Sequence, residues 1–286
     1  GSHVGVGSSF VGGVASVTSR SPKVLPAFPG SSNVYKNTVL GDVLIKHATG
    51  YHEFGADVGR RTIKARELWE KILVSQIETG TPYMVYKDRA NLASNQKNLG
   101  VIKSSNLCAE IIEYSSSDEQ AVCNLASIAL NKFVDPMVPY GYNFEKLGEV
   151  VEVVVENLDN VIDANYYPTE ETSNSNSRHR PIGMGVQGLA DTYAMMKLPF
   201  DSQGAAMINK MIFEQMYFSA VKKSMELALS KGAYSTFDDS PASKGILQFD
   251  MYDTPTKLSL LNLPWDDLKK EVVRSGMRNS LLLALM

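Results

Sequence analysis

An α/β fold is predicted by three features of this 286-residue sequence. Apolar residues recur at helical spacing in two long stretches, 144–162 and 201–232. Residues 82–86 form a short β-rich run bounded by turn residues. Residues 121–130 are mostly apolar without clean alternation, as in a strand buried on both faces that runs into a helix.

Residues 1–50 stand apart from the rest. Gly1-Ser2-His3 resembles the remnant of a cleaved tag. The Gly/Ser/Val-rich stretch through Ser32, punctuated by Pro22, Pro26 and Pro29, predicts a poorly ordered N-terminal extension. Val34 to Ala48 carries enough apolar residues for a short strand or helix. Residues 51–286 are expected to form the folded domain.

Within that domain, Ile63, Leu68, Trp69, Ile72, Leu73 and Ile77 predict an amphipathic helix from Arg60 to Glu78 that ends near Gly80. Pro82 to Tyr86 then reads as a short buried strand, Asn91 to Asn98 as a polar connection, and Val101-Ile102 as a return to the interior. Phe144, Leu147, Val150, Val151, Val154, Val155, Leu158, Val161 and Ile162 predict a long helix. Tyr166-Tyr167-Pro168 stops it, because proline cannot continue the hydrogen-bond ladder. The polar run Thr169 to Ser177 reads as a surface loop.

A second long helix is expected over 201–232, with Met207, Ile208, Met211, Ile212, Met216, Val221, Met225 and Leu229 on its apolar side and Gly232 at its C-cap. Its methionines read as gap-filling core. Gly245 to Asp250 is expected to be loop or strand, Trp265 to Gly276 a short helix, and Ser280 to Met286 the start of a final apolar strand. Internal repeats are not evident.

Composition narrows the function classes. With 44% hydrophobic residues and a net charge of −3, the chain carries no broad basic surface for nucleic acid. A nucleotide would have to bind at a local site. The two cysteines form neither a C-x-x-C pair nor a disulfide framework, which points to a reducing compartment. No apolar run reaches the roughly twenty residues needed to span a bilayer. No basic, apolar and cleavage-site sequence opens the chain, so a cytoplasmic location is expected. His3, His47 and His52 are too scattered to suggest a metal site.

The chemistry-bearing stretch is Asn106-Leu107-Cys108-Ala109-Glu110, followed by Cys123 in Val122-Cys123-Asn124-Leu125. If the first segment is extended, residues at i, i+2 and i+4 share one face, and Asn106, Cys108 and Glu110 converge. Such a spot offers an amide, a sulfur that can take or give hydrogen, and a base for a hydroxyl proton. On the residues alone the plainer reading is a small buried cysteine with Asn106 and Glu110 facing water. Gly183-Met184-Gly185-Val186-Gln187-Gly188 satisfies G-x-G-x-x-G, but the polar Ser175 to Pro181 precedes it where a dinucleotide site needs a buried strand. Those glycines read instead as close backbone approach between a helix N-terminus and the sheet.

Resemblance decides between the readings of Cys108. The run SSNLCAEIIEYSSSDEQAVCNLASIALNKF, Ser104 to Phe133, closely resembles the active-site segment of the large (α) subunit of class I ribonucleotide reductase, in its eukaryote-like branch. Glu78 to Asp88, Ser94 to Gly100, Arg178 to Asp191, Ser243 to Met251 and Arg278 to Leu282 also look like that family, in the same order. Glu113-Tyr114 and Asn124 to Ser127 look more like the class with a separate metal-radical subunit than the cobalamin-dependent class. The likeness covers Val58 to Met286.

The resemblance implies part of a ten-stranded α/β barrel with Cys108 at the tip of a finger loop, where it becomes the thiyl radical that removes the 3′-hydrogen of the substrate ribose. Glu110 would deprotonate the 3′-hydroxyl, and Asn106 with Ser105 would hold the ribose. Cys123 would be one of the two thiols that reduce the 2′ position, its partner cysteine lying outside this chain. No cofactor is expected on the chain itself. The radical would come from a metal-containing small subunit and the electrons from thioredoxin or glutaredoxin. The expected partners are a ribonucleoside diphosphate, the small subunit, and the remainder of the large subunit or a complementary chain, with neither nucleic acid nor membrane. The nucleotide-sensing domain, the first half-barrel, the phosphate-holding turn, the radical-transfer tyrosines and the electron-receiving tail of that family are expected to lie elsewhere. Activity is therefore expected only when other chains complete the barrel. The alternative is an inactive, reductase-derived interaction or regulatory protein.

Overall fold

A computed structural model describes residues 64–252 and 260–284, together with the backbone of five short strands before them: β1 (Gly5–Gly7), β2 (Lys23–Leu25), β3 (Tyr35–Asn37), β4 (Asp42–Leu44) and β5 (Arg60–Thr62). β3 and β4 fall in the 34–48 stretch expected to hold a short strand or helix, while β1 and β2 are short strands inside the stretch through Ser32 expected to be poorly ordered; the other residues of the N-terminal extension and the end of the final strand lie outside the described residues. The chain divides into two units, one of residues 1–92 with 101–113 and one of 93–100 with 114–286.

In the first unit, α1 (Ala65–Thr79) is the helix that the apolar spacing predicts, except that the expected start at Arg60–Thr62 is strand β5. Gly80 ends it at φ +76°, where its N–H bonds to the Gln76 carbonyl at 3.0 Å. Trp69, Leu73, Val74 and Ile77 are all exposed, so the predicted apolar stripe exists without being buried. Ser75 Oγ and Gln76 Nε2 donate to the carbonyls of Thr81 and Pro82, each at 2.7 Å, and so fix the turn into β6 (Tyr83–Val85). β6 pairs antiparallel with β1 and leads into α2 (Lys87–Leu92). Part of the expected polar connection is therefore helical.

The second unit is built on a parallel sheet. β7 (Asn124–Ala129) and β8 (Ile182–Gln187) pair in register from Asn124 opposite Ile182 to Ala129 opposite Gln187. Residues 281–284 add a third parallel segment on the far side of β8, through Ile182 N–H to Leu281 O and Met184 N–H to Leu282 O, both at 3.0 Å. The apolar β7 and the final strand are thus where the sequence predicts them.

α3 (Phe144–Ala164) and α6 (Gln203–Lys231) pack on this sheet and on each other. Leu147, Val151, Val155, Leu158 and Ile162 fall on one stripe of α3 and meet Ile208, Met211, Ile212, Met216 and Val221 of α6 and Ile182 and Met184 of β8 in one core. Each such side chain contributes roughly 1.5–3 kcal/mol by leaving water. The Asn143 and Ser202 side chains cap the two helices by accepting from Lys146 N and Ala205 N. α7 (Trp265–Ser275) presses Trp265, Leu268 and Val272 into the same core. Met207 and Leu229, expected on the apolar side of α6, are exposed.

Two expectations are corrected. Thr169 to Ser177 is not a surface loop: Glu170–His179 forms α4, which opens on a reciprocal Thr169–Thr172 cap and buries Thr172, Ser175, Asn176 and His179. A helix this polar is stable because its inner face finds hydrogen-bond partners rather than apolar surface. The Gly183–Gly188 run lies inside β8 instead of at a helix N-terminus, and only Gly188, at φ +74°, reaches the entry to α5 (Leu189–Met195). A dinucleotide turn follows its strand, so this placement removes that reading.

Asp159, fully buried on α3, binds the core to the third strand. It faces Arg180 Nη2 at 2.9 Å, Lys231 Nζ at 3.3 Å and Arg278 Nε at 3.4 Å, and accepts from Asn279 Nδ2 at 3.2 Å. Replacing it strands cations in a dry site. Asp159→Ala is expected to cost about 3–5 kcal/mol of unfolding free energy, read from urea denaturation.

Candidate active site

The segment 101–113 is anchored first at Asn91, at the end of α2. The Asn91 carboxamide accepts from Ile102 N at 2.7 Å and donates to Ile102 O at 2.9 Å, which completes the backbone bonding of Ile102 as a strand neighbour would. Ile102 is buried while Val101 is exposed. The tip of the segment is a tight turn: Asn106 N donates to Ile111 O and Ala109 N to Asn106 O, both at 3.3 Å, with Ala109 in the left-handed region at φ +66°. This differs from the extended geometry considered from the sequence. Residues i and i+4 meet across the turn rather than along a pleated face.

Asn106 organises that turn. Its Oδ1 accepts from Ile111 N at 3.0 Å and its Nδ2 donates to Glu110 Oε1 at 2.5 Å. The carboxamide therefore orients the carboxylate and leaves Glu110 Oε2, a buried atom with no hydrogen-bond partner, ready to accept a proton donor. Ser105 Oγ donates to Asn106 O at 3.1 Å. Cys108 lies exposed at the tip between the paired residues. Of the expected set in this unit, the turn joins Asn106 and Glu110 directly and presents Cys108 beside them in the chain.

Cys123 belongs to the second unit and immediately precedes β7. It is half-buried, with its Sγ 3.8 Å from the Asn124 carbonyl. Gly183 of β8 faces it. A Cβ there would stand 2.4 Å from Leu125 Cδ2, 2.8 Å from Ala284 Cβ and 2.9 Å from Cys123 Sγ, closer than real carbon contacts allow. The first glycine of the G-x-G-x-x-G run is thus required by the packing around a cysteine.

Sequence reasoning missed the polar cluster that holds the connection between the two cysteine segments. Glu119, nearly inaccessible, pairs with Arg178 through Oε1 and with His179 Nε2 through Oε2 at 2.8 Å; His179 Nδ1 meets Thr236 Oγ1 at 2.7 Å. Gln120 N donates to Glu171 O and Asn174 Nδ2 to Asp118 O, both at 3.0 Å, so α4 grips the 118–120 stretch along its length. The signal was present in the sequence: Thr172, Ser175, Asn176 and His179 repeat at i, i+3, i+4 and i+7, a helical stripe made of polar residues.

The model of the ribonucleotide reductase barrel domain matches residues 17–286. The chain belongs to that family. It is 52% identical to the ribonucleoside-diphosphate reductase large subunit of Plasmodium falciparum, over 90% of this chain and 31% of that protein. Against large chain 2 of Saccharomyces cerevisiae the identity is 53%, over 91% of this chain and 29% of the relative. The Caenorhabditis elegans large subunit is 57% identical over 79% of this chain and 28% of its own length. The chain therefore spans about a third of the length of these curated relatives. As a barrel-domain member it shows helices packed on a parallel sheet with mixed α/β order, and the sheet is not closed among the described residues. No described helix is long and apolar enough to cross a membrane.

Two outcomes test this geometry. Gly183→Ala is expected to destabilise the domain by about 1–3 kcal/mol through overpacking, and to change the alkylation rate of the Cys123 thiol, read by mass spectrometry after a timed iodoacetamide pulse. The second concerns His179, whose pKa is lowered from 6.5 to about 4, first by burial and then by the positive charge of Arg178. The unfolded chain binds the extra proton between those values, so the stability contribution is complete above pH 6.5 and falls as pH drops towards 4. His179→Gln should flatten that fall, measured as the urea midpoint against pH.

Proposed function

We propose that this chain supplies part of the catalytic barrel of a ribonucleoside-diphosphate reductase large subunit, which reduces ribonucleotides to deoxyribonucleotides for DNA synthesis. The observation that carries the reading is the turn at 106–111. There a carboxamide holds one oxygen of a carboxylate and leaves the other without a partner among the described residues, with an exposed cysteine between the two in the chain, in a member of the reductase barrel family.

In this reading the Cys108 thiyl radical takes the 3′-hydrogen of the ribose, and Glu110 Oε2 accepts the 3′-hydroxyl proton. Asn106 orients Glu110 and, with Ser105, contacts the ribose. Loss of the 2′-hydroxyl as water then requires two electrons and two protons. Cys123 and a second cysteine from outside this chain deliver them, their thiols ending as a disulfide, and the 3′-hydrogen returns from Cys108. Thioredoxin or glutaredoxin reduces that disulfide, and a metal-containing small subunit supplies the radical, with no cofactor held by this chain.

Residues 51–286 would contribute strands to a ten-stranded α/β barrel, after an N-terminal extension over residues 1–50. β7 and the 281–284 segment are the outer members of the described parallel sheet, and strand edges of this kind call for covering or pairing. The remainder of the large subunit, or a complementary chain, is the natural source of that cover. A cytoplasmic setting, where thiols stay reduced, suits the chemistry.

The test is ribonucleoside diphosphate reduction by the chain mixed with complementary large-subunit fragments, small subunit and reductant. Activity is expected on mixing, to vanish in Cys108→Ala and in Cys123→Ser, and to fall by about 10²–10⁴-fold in Glu110→Gln, which keeps the shape but not the base. Persistent inactivity combined with tight binding to a reductase subunit would replace this reading with that of a non-catalytic regulatory protein.

A further inference from the structure

The loop that carries Asn106, Cys108 and Glu110 leaves the second unit at Gly100 and re-enters it at Tyr114. These two ends are in contact. Gly100, at φ +147°, lies so close to the Tyr114 ring that a Cβ on it would stand 2.6 Å from Tyr114 Cε2. Gln96 reinforces the closure. Its Oε1 accepts from Tyr114 N at 2.8 Å and its Nε2 donates to Ser280 Oγ at 3.1 Å, with the residue only 2% exposed.

Ser280 is itself held on both sides of its backbone. Its N–H donates to His179 O at 3.1 Å and its carbonyl accepts from Asn95 Nδ2 at 2.8 Å. The chain then runs directly into the 281–284 segment beside β8, which brings Ala284 to the same side of Gly183 as Cys123. A single carboxamide thus ties the base of the loop to the strand that packs against the second cysteine. Such a bridge takes a side chain with an acceptor for the Tyr114 N–H and a second polar atom for Ser280 Oγ, which can itself donate or accept.

We infer that Gln96 is a positioning residue that fixes the base of the Cys108 loop relative to the strand bordering Cys123. The inference rests on the functional reading above and adds to it a residue with no contact to the reacting atoms. Loss of the bridge leaves the part-buried Tyr114 N–H without its acceptor and frees the loop base, while Gln96 is not among the residues of the core built by α3, α6 and the sheet.

The experiment compares Gln96→Met, which fills the same space without hydrogen bonds, with Gln96→Glu. The glutamate can accept from Tyr114 N–H and bond Ser280 Oγ in either protonation state, so it restores the bridge. In the assembled reductase, Gln96→Met is expected to lower kcat by about 10–100-fold with KM for the nucleotide unchanged, the scale of loss produced by small misplacements of reacting groups. Gln96→Glu is expected to recover most of that loss. Ser280→Ala, which removes only the far acceptor, should lower kcat in the same direction by less, and decides the matter if Gln96→Met does not fold.

Hydrogen exchange at the Tyr114 amide should quicken in Gln96→Met while β7 and β8 stay protected. Equal activity of the methionine and glutamate variants, or an unchanged kcat in both Gln96→Met and Ser280→Ala, overturns the inference. Cys108→Ala in the same assay separates the two levels. If it stays active the functional reading fails and takes this inference with it; if it is dead while Gln96→Met matches the parent, only the role of Gln96 fails.

Discussion

The close approach of three parallel backbone segments around Gly183 is the constraint on which the larger unit depends. Atoms of Leu125, Ala284 and Cys123 all lie closer than van der Waals contact to where a side chain at that position would begin, and the position is open to them because glycine carries none. The sheet on the far side of this contact is sealed by α3 and α6, whose apolar stripes meet Ile182 and Met184 from the same strand. One strand therefore presents bulk to the helices at 182 and 184 and absence of bulk to the cysteine at 183, which is how a period-two element separates core from site.

Polar groups, rather than apolar area, set how the connecting segments lie on that sheet. Asp159 gathers Arg180, Lys231, Arg278 and Asn279 and so fixes the entry to the third strand. Glu119, with Arg178 and His179, does the same for the connection between the two cysteine segments. Buried carboxylates held by such partners add little net stability over apolar packing, but they tolerate few alternative arrangements, because each mismatch leaves a charge unpaired in a dry site. A loop bearing chemistry benefits from that intolerance more than from extra stability.

At the site itself, the tight turn turns a sequence spacing into a chemical relation. Asn106 is spent on the Ile111 N–H through one atom and on Glu110 through the other. The carboxylate is thereby oriented by the fold itself, as the base proposed above for Glu110 requires. Cys108 at the turn is exposed rather than part of a core, which is what the role proposed for its sulfur needs.

Much of this was legible in the sequence. The stripes of α3 and α6 and the apolar run of β7 are set by local periodicity, and the end of α6 by Gly232, whose capping preference is local too. Asn106, Cys108, Glu110 and Cys123 stood out by residue type and by family resemblance. What only tertiary structure decided was the fate of polar and glycine-rich stretches. Thr169 to Ser177 looks like loop until Glu119, Tyr167 and Thr236 supply partners for its inner face and neighbouring His179. The glycines of β8 look like a phosphate turn until Leu125, Cys123 and Ala284 close around Gly183. Apolar burial is announced by spacing along one segment, whereas a hydrogen bond needs a partner from another, and no single stretch of sequence records which partner the fold will bring.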